Sequence, residues 1–143
     1  MKKLTIEQIT EAVKGELLQG NPKDEVNGVS TDSRKVAEGE IFFPLIGEQH
    51  DAHDFIPQAV ERGCRTFILS KKPEGLSGQL NLILVEDTTK ALQKLAAYYL
   101  SLFSMIKIGV TGSTGKTSTK EMLYWILSEK YKTTRNIGNL NNH

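Results

Sequence analysis

The sequence predicts an α/β chain: a small α/β domain over residues 1–85, then the first strand–loop–helix unit of a second, incomplete phosphate-loop (P-loop, ATPase-like) domain over 86–143. Three observations carry this. Short apolar, β-branched runs alternate with stretches of helical period through the first 85 residues. Two polar loops each follow such a run. Finally, the run from Ile106 feeds a glycine-bearing turn, Gly112-Ser113-Thr114-Gly115-Lys116-Thr117, and a helical pattern starts at once.

Composition narrows the classes. The chain has 143 residues, 38% hydrophobic and 24% charged, as expected of a soluble globular protein. The net charge of +1 offers no basic excess for a nucleic acid, and clusters such as Lys71-Lys72 read as solvated faces. One cysteine, Cys64, excludes an intrachain disulfide and a cysteine-rich zinc site, and reads as a buried thiol. No apolar run is long enough to span a membrane and no signal-peptide core opens the chain, so a cytoplasmic protein without membrane insertion is expected.

Element by element, Thr5 and Gln8 have capping-box spacing, with Leu4 and Ile9 as a hydrophobic staple. Ile6, Ile9 and Val13 form the helix's apolar face, and Gly15 is its expected stop. Strands are expected at 16–18 and 26–29, around a turn at Gly20-Asn21-Pro22. Residues 30–35, Ser-Thr-Asp-Ser-Arg-Lys, are either a polar surface loop or a loop for an anionic ligand. A strand is expected over 40–46, with Pro44 marking an edge or an end. The loop Gly47 to Asp54 holds two histidines and two aspartates at 50–54, without the spacing of a zinc enzyme. Asp54 is expected to cap a helix over 55–62 whose inner face is Ile56, Ala59 and Val60, ended by Gly63. Strands follow at 65–69 and 80–85. Asp87 caps a longer helix whose stripe includes Ala91, Leu92, Leu95 and Tyr99. The next strand starts at Ile106, the next helix at Lys116 with Met122, Leu123, Ile126 and Leu127 on one face, and Tyr131 to Thr134 reads as a possible strand.

The glycine turn carries the sharpest chemistry. Curled backbone and a helix start aim N–H groups at a phosphate. Lys116 would meet the distal phosphates, and the Thr117 hydroxyl a magnesium ion. The common G-x-x-x-x-G-K-[ST] pattern fails because Val110 stands at its first glycine, leaving Gly112-x-x-Gly115-Lys116-Thr117. That short form has two other readings: a plain turn in a non-catalytic module, or the loop of a small kinase-like nucleotide-binding protein.

Gly109 to Ser118 resembles the ATP loop of the Mur ligases, whose form is G-x-x-G-K-[ST]. Val29 to Val36, Gly39 to Phe43 and Gly47 to Ile56 are similar to the UDP-binding N-terminal domain of that family. Within it, His53-Asp54-Phe55-Ile56 and Gly138 to Asn142 look most like the D-alanyl-D-alanine-adding member, with the diaminopimelate- or lysine-adding ligase as the rival.

The resemblance implies an ATP- and Mg2+-dependent ligase of peptidoglycan precursor synthesis, with UDP-N-acetylmuramoyl-tripeptide and D-alanyl-D-alanine as substrates. It assigns Gly112, Ser113, Thr114, Gly115, Lys116, Thr117 and Ser118 to ATP, Lys116 to catalysis and Thr117 to magnesium. It assigns Thr31, Ser33, Glu48, Gln49 and His50 to the UDP-sugar, and Asn142 to the substrate or nucleotide region. Further family machinery is expected after His143, so the 143-residue chain is expected to be inactive alone.

Overall fold

A computed structural model of the chain describes residues 1–47, 50–72, 75–76 and 78–136. Its chain forms two units, Met1–Phe103 and Ser104–His143.

In the first unit, a short strand β1 (Leu4–Thr5) leads into helix α1 (Ile6–Val13). Both capping-box bonds form: the Gln8 N–H donates to Thr5 Oγ1 (3.2 Å) and the Thr5 N–H to Gln8 Oε1 (3.0 Å). Leu4 and Ile9 are both buried in one apolar cluster, as a staple requires. The stop differs from expectation. Lys14, not Gly15, takes the left-handed conformation (φ 57°), and its N–H and that of Gly15 return to Glu11 and Thr10 carbonyls. Gly15 is small for another reason: a Cβ there would stand 2.8 Å from both the Ile83 side chain and the Leu84 carbonyl oxygen.

Strand β3 (Glu25–Val26) pairs antiparallel with β1. The main sheet has five strands: β2 (Glu16–Gln19), β4 (Gly28–Ser30), β5 (Glu40–Phe42), β6 (Thr66–Leu69) and β7 (Asn81–Leu84), in the order β2-β7-β6-β5-β4. Strands β4 to β7 are parallel neighbours, and β2 is antiparallel to β7. The expected strand at 26–29 is thus divided between two sheets at Asn27. The strand expected over 40–46 ends at Phe42, and Pro44, which lacks an N–H, lies beyond it.

All of β6 is buried, as suits a central parallel strand. Its side chains alternate between two clusters. Ile41, Phe43, Ile68 and Ile83 pack with α1 and with helix α3 (Thr88–Ser101) on one face. Phe42, Phe67, Leu69 and Leu82 pack with Ile56 and Ala59 of helix α2 (Ile56–Glu61) on the other. Cys64 lies in this second cluster, and burial pushes its thiol pKa up.

The entry to α2 also differs from expectation. Asp51, not Asp54, is the capping residue, and it caps a 3₁₀ turn over Ala52–Phe55 by accepting from the His53 N–H. The α-helix then follows without a side-chain cap. Asp87 does cap α3, accepting from the Lys90 N–H at 2.9 Å. The boundary expected at residue 85 would place this helix in the second domain. Its buried Ala91 and Leu95 instead complete the first unit's core, with Tyr99 packed beside them and its hydroxyl accepting from the Lys2 N–H.

In the second unit, residues 106–110 join no ladder among the described residues, contrary to the expected strand, and Ile106 and Ile108 are exposed. A strand exists only by pairing. Helix α4 (Lys116–Ser128) forms as expected, while Met122 and Ile126 of its apolar stripe are exposed. No ladder forms over 131–134 among the described residues. There Arg135 stacks 3.7 Å over the Tyr124 ring, and its Nε lies 2.9 Å from Glu121.

Candidate functional site

Parallel strands put their carboxyl ends on one edge, where ligands of open α/β sheets bind. Four described segments leave that edge: after β4 at Ser30, after β5 at Phe42, after β6 at Leu69, and after β7 at Leu84, where the chain turns into α3. The first two sit side by side, since Ser30 pairs with Phe42 and the Phe43 N–H donates to the Ser30 carbonyl at 2.9 Å.

In the β4 loop, Thr31 is exposed. Ser33 is buried and its hydroxyl donates to Gln58 Oε1 of α2 at 2.7 Å, so it fixes the loop rather than projecting from it. Asp32 organises the turn. Its carbonyl accepts from the Lys35 and Val36 N–H groups, and its carboxylate receives Nε (2.9 Å) and a terminal nitrogen (3.0 Å) of Arg34. Those guanidinium bonds, then the Arg34 N–H, hold the Asp32 pKa at about 2. Asp32 was not among the sequence candidates. The signal for it was present: an aspartate before a Ser-Arg pair forms an Asx turn.

In the β5 loop, Ile46 bridges Asp51, the Gly47 N–H donates to the His50 carbonyl (2.9 Å), and the Ala52 N–H donates to the Leu45 carbonyl (3.1 Å). His50 is exposed beside this foot. Two further candidates, Glu48 and Gln49, lie outside the described residues, as does Asn142.

Asp51 ties the β5 and β6 ends together. Its Oδ1 lies 2.5 Å from His53 Nδ1, and its Oδ2 accepts from Lys71 Nζ at 2.5 Å. The Lys71 bond is the largest cause holding its carboxyl well below the usual range. Across the ring, His53 Nε2 accepts from the Ser70 N–H at 3.1 Å. The sequence showed the His/Asp cluster but not this use of it. Among the described residues no group of histidine, cysteine or acidic side chains could hold a metal ion.

In the second unit, Gly115 caps α4 in the left-handed conformation (φ 74°), which spares the turn the strain an L side chain would bring. The turn ends where the helix starts, so first-turn backbone N–H groups and the positive helix end meet at Gly112 to Thr117. Lys116 Nζ folds over the turn and donates to the Gly112 carbonyl at 2.5 Å. A Cβ at Gly115 would meet nothing within 4 Å, leaving open space on that side. Ammonium, hydroxyls and amides in one exposed turn make a donor set that fits a polyphosphate.

Comparison with known proteins agrees with both units. Residues 25–100 match the Mur ligase family catalytic domain, and residues 110–143 the Mur ligase middle domain. The chain belongs to the Mur ligase family. Among Mur ligases, the UDP-N-acetylmuramoyl-tripeptide--D-alanyl-D-alanine ligase of Bacillus subtilis (strain 168) is 42% identical over 146 residues, covering 100% of this chain and 32% of the relative. The crystal structure of MurF from Acinetobacter baumannii superposes with a TM-score of 0.90 at 38% identity, over 99% of this chain and 31% of that one. MurF ligase from Thermotoga maritima, solved in complex with ADP, matches with a TM-score of 0.73 at 38% identity, over 81% of this chain and 26% of that one. The chain therefore spans about a third of the length of these Mur ligases.

Proposed function

We propose that this chain is the substrate-binding unit and the opening of the ATP-binding unit of a MurF-type ligase of peptidoglycan precursor synthesis. The observation that carries the reading is the Gly112-Ser113-Thr114-Gly115-Lys116-Thr117 turn at the start of α4, in a chain whose relatives are ligases of this kind. In that reaction ATP phosphorylates the terminal carboxylate of UDP-N-acetylmuramoyl-tripeptide and ADP leaves. The amine of D-alanyl-D-alanine then attacks the acyl phosphate and releases inorganic phosphate.

Each unit has its own part. Gly112 to Ser118 hold ATP by backbone N–H groups and hydroxyls, and Lys116 leaves the Gly112 carbonyl to neutralise the distal phosphates. The Thr117 hydroxyl is suited to Mg2+, an oxygen-seeking cation that shields phosphate charge when bound. The carboxyl edge of β4 and β5 takes the UDP-sugar, with Thr31 and His50 exposed on its loops and Ser33 holding the first loop to α2. Glu48, Gln49 and Asn142 keep their proposed roles from the resemblance. No described helix is long and apolar enough to cross a membrane, which fits a ligase working on nucleotide-linked precursors in the cytoplasm.

Nucleotide binding by the chain tests the carrying observation. A fluorescent ATP analogue with Mg2+ is expected to bind the wild type saturably, and Lys116→Ala to weaken it by about tenfold or more, the scale of a charge-assisted phosphate contact. Equal binding by both forms would reduce the turn to a structural feature.

A further inference from the structure

The bonds around His53 have a direction that fixes its chemical state. The Ser70 backbone N–H can only donate, so His53 Nε2 must present its lone pair at 3.1 Å. The proton then resides on Nδ1, facing Asp51 Oδ1. Asp51 also accepts the His53 N–H at 3.0 Å and the Lys71 ammonium, leaving it acceptor-saturated on this side. The His53 side chain is only 10% exposed, so little water competes for these bonds. Ser70 Oγ also lies 3.2 Å from Nε2, but the backbone N–H already engages that lone pair. The Asp-His-Ser line is thus a clamp and not a nucleophile relay.

What the clamp grips is the foot of the β5 loop. Asp51 bridges Ile46, and the Ala52 N–H closes on the Leu45 carbonyl. On the opposite face of the sheet, the buried Thr88 hydroxyl of α3 donates to the Pro44 carbonyl at 2.8 Å. The stem is therefore fixed from α3 at Pro44, while its return at Asp51 is held to the stem by backbone bonds and, among the described residues, to the end of β6 by the side chains of His53 and Lys71. The Lys71 ammonium is well exposed, and exposed ion pairs contribute little. His53 is left as the main side-chain tie from the foot to the end of β6.

We infer that His53, held in its Nδ1-protonated tautomer between Asp51 and the Ser70 backbone, is a positioning residue that sets the foot of the β5 loop for ligand. The ligand part rests on the UDP-sugar reading above, whereas the clamp itself does not.

Three measurements on the 143-residue chain test it. Ring ¹⁵N shifts of His53 at neutral pH should show a protonated Nδ1 and an unprotonated Nε2, and the opposite tautomer would overturn the assignment. His53→Ala should speed amide exchange at Gly47, Ala52 and Ser70 by about tenfold or more while Ile68 and Ile83 keep their protection. His53→Gln, whose side-chain oxygen can take the place of Nε2, should restore protection at Ser70. Unchanged exchange at Gly47 and Ala52 in His53→Ala would overturn the clamp.

Titration with UDP-N-acetylmuramoyl-tripeptide then reads the ligand part. About tenfold weaker binding in His53→Ala, partly recovered in His53→Gln, supports positioning. Equal affinity in wild type and His53→Ala contradicts it. If the wild type gives no saturable binding, the UDP-sugar reading fails, and the exchange data alone decide the clamp.

Discussion

Arg34 folds back on Asp32, two residues before it, and engages its carboxylate with two guanidinium nitrogens while the side chain stays exposed to solvent. From the residues alone, 30–35 read either as a polar surface loop or as a loop whose hydroxyls and arginine take an anionic ligand. The Asx-turn position of Asp32 was legible, but the guanidinium bonds also need the turn that Lys35 and Val36 close onto the Asp32 carbonyl. The consequence is a pH dependence of definite sign. Asp32 has its pKa lowered from 3.8 to about 2 in the fold. Its contribution to the loop is therefore complete above the unfolded value and fades as pH falls from about 4 toward 2. Carboxyl ¹³C shifts should titrate near the lower value in the wild type and move up toward 3.8 in Arg34→Ala. A midpoint indifferent to the substitution would show that the guanidinium is not the cause. Ser33 teaches a similar lesson: a hydroxyl read as a ligand contact is buried and bonded to Gln58, so its role passes through the loop's shape.

At the scale of elements, what was legible was local. The Thr5–Gln8 box and the Asp87 cap each need only neighbours within three residues, and both form. The end of α1 was not legible, because it depends on β7. Gly15 lies against Ile83 and Leu84, where only a hydrogen fits, and the left-handed cap falls one residue earlier, on Lys14. Two substitutions separate these roles. Lys14→Gly should raise stability by about 0.5–1 kcal/mol by relieving the left-handed strain, net of the added chain entropy. Gly15→Ala should lower it by about 1–3 kcal/mol through overpacking. Urea unfolding reads both, and a neutral Gly15→Ala would mean the sheet gives way at no cost. The cap at Asp51 was missed for the same reason: it follows from the Ile46–Asp51 bridge and from Lys71 across the sheet edge, not from helical spacing. The apolar run at 106–110 was legible as a β pattern, but a pattern becomes a strand only with a partner, and none is present among the described residues.

For the whole molecule, the α/β class of the first unit followed from alternating periods, whereas its parallel strand order and the boundary between units did not. Helix α3 looked like the prelude to the phosphate loop because it runs toward it in sequence. Its buried residues belong with α1 and the sheet. Leu95 is buried and Leu92, Tyr99 and Leu102 half-buried there, at roughly 1.5–3 kcal/mol for each fully covered apolar side chain. Domains of this size hold only about 5–15 kcal/mol in total, so the helix decides whether the unit folds. A chain of residues 1–103 is therefore expected to unfold cooperatively, and one of residues 1–85 to lack a cooperative transition by circular dichroism. Cooperative folding of the shorter chain would move the boundary back to the helix's start.

On the proposed function, the carboxyl edge of β4, β5 and β6 receives the UDP-linked precursor. Amide chemical-shift mapping of the ¹⁵N-labelled chain against UDP-N-acetylmuramoyl-tripeptide tests it most directly. Saturable shifts are expected at Thr31 to Arg34, Gly47, His50 to Ala52 and Ser70–Lys71, with the outer surfaces of α1 and α3 silent. No saturable shifts at high ligand concentration, or shifts confined to those helices, would contradict it.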